Sequence, residues 1–68
     1  MLTEEQYDQS AVNYSNFLLL EAEEEGKTLE TLKHEREQAN AVRTPGLRSY
    51  AVEGYDKAID ILQQQQQA

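Results

Sequence analysis

Apolar and polar positions alternate with helical spacing in three stretches of the chain, separated by two short breaks. In the first stretch Tyr7, Ala11, Tyr14, Leu18 and Ala22 recur every three or four residues, which sets them on one face of a helix. Phe17 widens that face, while Leu19 and Leu20 lie partly off it, so the helix carries apolar surface on more than one side. Thr3 with Gln6 three residues later forms a capping-box pair, and Glu4 and Glu5 complement the positive end of the helix dipole. Gly26 follows the acidic run Glu23 to Glu25 and suits a left-handed helix terminus, and Thr28 is a good cap for the next helix. The pattern predicts helices over 4–25 and 28–43, joined tightly enough to fold back as an αα-hairpin.

On the second helix Leu29, Leu32, Ala39 and Val42 keep the spacing, but Arg36 stands where the stripe would continue. Thr44-Pro45-Gly46 is the second break. Pro45 suits the first position of a helix and Thr44 before it is a competent cap, which predicts a third helix over 45–62. That helix carries Leu47, Ala51, Gly54, Ala58 and Ile61 on one side and Val52, Tyr55, Ile59 and Leu62 on an adjoining one, with Tyr50 near the boundary. Glycine inside a helix costs about 1 kcal/mol relative to Ala, so Gly54 between Ala51 and Ala58 points to a close helix approach. Residues 1–62 read as one helical domain, and the Gln-rich residues 63–68 as a frayed or disordered tail.

Size sharpens this picture. A chain of 68 residues rarely draws more than about 3–5 kcal/mol from a single core, and with no Cys it has neither a disulfide nor a thiolate zinc site to help. Leu, Ile, Val and Phe together number 14 of 68, barely above the roughly 20% below which chains tend to be disordered. The expectation is an all-α fold, a helical hairpin plus a third helix, forming a small bundle completed by homo-oligomerisation. The faces expected to meet another copy are Tyr7, Tyr14, Phe17 and Leu18 on the first helix, and Ala51, Gly54, Tyr55, Ala58, Ile59 and Leu62 on the third.

The formal charge of −7 disfavours binding to DNA or RNA, whose affinity comes from Lys and Arg displacing counterions. The longest apolar run, Phe17 to Leu20, is far short of a membrane span, and the start of the sequence lacks the features of a signal peptide. Together with the absence of Cys, this points to a cytoplasmic protein.

Little in the sequence calls for catalysis. There is no activated nucleophile, phosphate loop or dinucleotide fingerprint, so the expectation is a protein that is not an enzyme and uses no cofactor. His34 shares a helical face with Glu30 and Glu37, an arrangement better read as solvated ion pairs than as a metal site. The cluster Glu21, Glu23, Glu24 and Glu25 has two readings, imitation of a phosphate backbone or a solubilising face. The leading functional expectation is an interaction module that inhibits or adapts a partner protein, a role also found among small acidic virus-encoded proteins. Its rival is an oligomer that sequesters a phosphorylated or nucleotide ligand. Arg43, Thr44, Gly46, Arg48, Ser49 and Tyr50 at the expected start of the third helix, with Tyr55, would receive that anion.

Overall fold

A computed structural model describes residues 2–67, and the side chains of residues 2–66. These residues form three helices, α1 (Glu4–Glu25), α2 (Leu29–Val42) and α3 (Tyr50–Gln67), with no strand among them. The first helix begins at the expected capping box: Gln6 N–H donates to Thr3 Oγ1 at 3.2 Å, and Thr3 N–H donates to Gln6 Oε1 at 2.8 Å. It ends at Gly26, whose φ of 68° and ψ of 31° lie in the left-handed region open to glycine. The Lys27 amide then donates back to Ala22 O at 2.9 Å, and Thr28 caps α2 by accepting from Thr31 N–H at 3.2 Å.

The third helix starts five residues later than its sequence signals predict. Thr44 does not cap a helix; its carbonyl accepts from Leu47 N–H at 3.2 Å, closing a reverse turn with Pro45 and Gly46 at the centre. Gly46 has φ +82°, the backbone of a type II turn and incompatible with a right-handed helix. Ser49 supplies the cap instead, with Val52 N–H donating to its Oγ at 3.3 Å. At the other end α3 continues through Gln67, so the Gln run extends the third helix. Gln is a fair helix former, Gln64 donates to Asp60 Oδ2 one turn back at 3.2 Å, and Gln65 shares a recess with Leu19, Leu20 and Leu62. Ala68 lies outside the described residues.

The hairpin expectation also needs correcting. The chain does reverse at Gly26, but the backbones of α1 and α2 have no close approach; α3 packs against both. Asp8 meets Arg48 near the start of α1 and α3, and Ala22 and Leu62 share a recess near their ends, so these two helices run parallel. Arg36 pairs with Asp56, and Ile59 lies among Glu30, Lys33 and His34, so α2 runs antiparallel to α3. Leu18, Ala22, Leu32, Tyr55 and Ala58 form the buried cluster where the three helices meet, with Tyr14, Leu19, Ala39, Ile59 and Leu62 packed around it. The apolar stripe of α3 therefore closes onto α1 within one chain. Of the residues expected at an oligomer interface, Leu18, Gly54, Tyr55 and Ala58 are buried here, leaving them no surface for a second copy. Tyr7, Tyr14, Ala51, Ile59 and Leu62 are half-buried, and Phe17 alone of that group is exposed.

Gly54 sets the spacing of α1 and α3. A Cβ built there would lie 2.8 Å from Tyr14 Cδ2, 3.1 Å from Tyr14 Cβ and 3.2 Å from the Ala11 carbonyl oxygen. Ser15 is buried at the same interface, and its hydroxyl is satisfied by donating to Val12 O at 2.7 Å.

Two stability outcomes follow. Leu32 is fully buried, so Leu32→Ala is expected to cost about 2–5 kcal/mol, comparable to the whole stability of so small a domain, and to lower the thermal midpoint by about 10 °C or more, read by circular dichroism. Gly54→Ala improves helix propensity yet is expected to destabilise by about 1–3 kcal/mol, because Tyr14 and the α1 backbone must move. A gain in midpoint for Gly54→Ala would mean that the two helices do not need this approach.

Candidate interaction surface

The loop between α2 and α3 carries most of the residues expected to bind an anion, and the structure brings them to one end of the molecule. Arg43, Thr44, Arg48, Ser49 and Tyr50 line a recess of about 290 Å³ together with Leu2, Tyr7, Val42 and Leu47. Gly46 sits in the turn beside it. Tyr55 is elsewhere: it lies in the core, edge-on to Tyr14 with ring centroids 5.7 Å apart.

The charge in this recess is already balanced from within. Arg48 donates from Nε to Glu53 Oε2 at 3.0 Å and from Nη2 to Glu53 Oε1 at 2.5 Å and Asp8 Oδ1 at 2.7 Å. Its guanidinium also lies 5.2 Å from the centre of the Tyr7 ring, a cation–π distance. Hydrogen bonds to Glu53 and then Asp8 hold its pKa above the ordinary arginine value. Glu53 occupies the first turn of α3, where an external anion would gain most from the free N–H groups. Arg48 thus ties α3 to α1, and Arg43 is the cation of this loop without a carboxylate partner among the described residues.

The apolar side chains here are the part that sequence spacing misassigns. Val42 and Leu47 fall on the expected core stripes of α2 and α3, yet they are 85% and 59% exposed. Val42 is the last residue of α2, and Leu47 precedes the true start of α3, so neither reaches the core. Tyr50 and Leu2 extend the same surface and also line a neighbouring shallow recess with Tyr14 and Phe17. Phe17 stacks on Tyr14 with centroids 6.1 Å apart and planes at 12°, and Tyr50 meets Tyr14 edge-on at 6.1 Å. The signal for an exposed Val42 and Leu47 was their closeness to the Pro45-Gly46 break.

The remaining candidates form local polar contacts or stand exposed. His34 lies 3.4 Å from Gln38 Nε2, while Glu30 pairs with Lys33 and Glu37 with Arg36. Among the described residues no group of three or more His, Asp or Glu side chains is placed to hold a metal ion. Nor is any helix long and apolar enough to cross a membrane. Within the acidic cluster Glu21 pairs with Lys27 Nζ at 2.5 Å, and Glu23, Glu24 and Glu25 are exposed. Lys27, in the α1–α2 connection, also reaches Glu35 of α2 at 3.0 Å, and Glu35 accepts from the Tyr55 hydroxyl of α3 at 3.4 Å. A single chain of polar contacts thereby links all three helices.

No protein-family model matches this chain, and no curated protein or solved structure matches it either.

The polar chain has a pH signature. Hydrogen bonds to Glu21 and then Glu35 raise the Lys27 pKa, and burial followed by hydrogen bonding with Tyr14 raises that of Tyr55. Both groups are protonated more readily folded than unfolded. Their contribution is complete below the ordinary values of 10.5 for Lys27 and 10.0 for Tyr55, and is lost as pH rises through the raised folded values. The thermal midpoint is therefore expected to fall above about pH 10, and to fall less steeply in Lys27→Met and in Tyr55→Phe. Identical alkaline slopes in all three proteins would rule out this linkage.

Proposed function

We propose that this protein is a non-enzymatic, homo-oligomeric helical interaction module that inhibits or adapts a partner protein through the end formed by the α2–α3 loop. The observation that carries this reading is the group of large apolar side chains, Leu2, Val42, Leu47 and Tyr50, exposed together around that loop. A chain with so few strongly apolar residues gains nothing in stability from leaving four such side chains in water. Contiguous exposed apolar surface on a small protein commonly marks a binding site. Tyr50 is held edge-on against Tyr14, so an aromatic anchor is in place before any partner arrives.

Electrostatics narrow the partner. Arg43 lines the same recess and has no carboxylate partner among the described residues, while Glu4 and Glu5 stand exposed on the first turn of the neighbouring helix α1. An apolar surface with one acceptor for Arg43 and cationic groups at its edge fits this end best. A phosphorylated ligand is less well served, since Glu53 and Asp8 already neutralise Arg48.

The test is a paired affinity capture from the native host with wild type and with Val42→Asp/Leu47→Asp. Both positions are well exposed, so the double variant is expected to keep its fold within about 1 kcal/mol. A stoichiometric protein partner retained by wild type and lost by the variant supports the reading. A partner held equally by both places recognition elsewhere, and melting curves that shift with nucleotide concentration in wild type would favour the small-ligand alternative.

A further inference from the structure

The outward face of α1 lies on the longest uncharged stretch of the chain. Residues 9–20 contain no charged side chain, the longest such run in a chain that is 28% charged. Within it Gln9, Asn13, Phe17 and Leu20, spaced four, four and three apart, share one helical face, and all are exposed. Phe17 and Leu20 are 53% and 60% exposed. Phe17 is not loose: its ring stacks on Tyr14, which is itself edge-on to the buried Tyr55. Gln9 donates to Asn13 Oδ1 at 3.0 Å, so the amides are ordered along the helix and keep further donors and acceptors for the outside.

Charge decides what fits on this face. A two-fold contact places the same surface on both sides, so it must be complementary to itself. Surfaces carrying one sign of charge repel their copies, whereas an amide both donates and accepts, and apolar groups pair with their like. On a chain of net charge −7, residues 9–20 of α1 are the longest stretch along which a second copy would meet no opposing carboxylate. A cationic partner, by contrast, finds no carboxylate here to attract it.

We infer that the outward face of α1, centred on Asn13 and Phe17, is where a second copy of this chain packs, helix against helix across a two-fold axis. This rests on the proposed homo-oligomeric character of the module and assigns its contact to a face that adjoins Leu2 and Tyr50 but does not include Val42 and Leu47. Glu4 and Glu5 at one end of α1, and Glu23 to Glu25 at the other, bring like charges together whichever way the two helices run. Salt screens that repulsion and strengthens the contact, opposite to its effect on binding a basic partner.

Sedimentation equilibrium over a range of protein concentration and salt tests this on the full chain. Wild type is expected to reach the mass of two chains, with a dimer dissociation constant that falls as salt rises. Asn13→Glu and Phe17→Glu are each expected to weaken the dimer by about tenfold or more, while Gln64→Glu on α3 leaves it unchanged. Asn13 is exposed and its side chain bonds only to Gln9 among the described residues, so its variant keeps the test valid if loss of the Phe17 ring disturbs folding. A dimer insensitive to both α1 variants overturns the assignment of the face and leaves self-association standing. A single-chain mass for wild type at every concentration overturns both, without bearing on capture of a partner through Val42 and Leu47.

Discussion

The absence of a side chain at Gly54 is the constraint on which the arrangement of this molecule depends. It lets α3 approach α1 until the Tyr14 ring and the Ala11 carbonyl fill the space a Cβ would take. That approach brings Leu18 and Ala58 into one buried cluster. It also fixes Tyr14 between the Tyr55 ring in the core and the Phe17 ring at the surface, with Tyr50 against its edge. One missing methyl group thus connects the depth of the core to the aromatic side chains that face solvent.

Against this apolar contact, the cations act as cross-braces. Lys27 spans α1 and α2, Arg36 joins α2 to α3, and Arg48 joins α3 to α1. Surface ion pairs contribute little singly, but here each bridges two different helices and the bridges lie at separate points of the fold. Arg36 is instructive because it interrupts the apolar stripe of α2. The gap is spanned by its 2.9 Å contact with Asp56, so a weak apolar face still finds its place on α3.

Features encoded within one helical turn were legible in the sequence. The Thr3–Gln6 capping box, the left-handed Gly26 and the Thr28 cap all depend on neighbours three or four residues away. The start of α3 was not legible, because Thr44 and Ser49 are both competent caps and Pro45 suits a helix start and a turn equally well. Gly46 after Pro45 decides for the turn. Pairings across the chain were beyond reach: Arg48 with Asp8 and Arg36 with Asp56 join residues 40 and 20 apart. The expected site residues from Arg43 to Tyr50 did come together, but spacing alone could not reveal that Glu53 and Asp8 neutralise Arg48. The interface expectation met the same limit, since periodicity shows that Leu18 and Ala58 want cover without saying that each covers the other.

The reverse turn at Thr44 to Leu47 separates two tasks along the sequence. Its backbone stands outside every helix and is closed by the one hydrogen bond from Leu47 to Thr44. The side chains around it contribute nothing to the buried cluster. None of the turn's four side chains belongs to the buried cluster, so the surface presented at this end and the packing of the three helices are set by different residues.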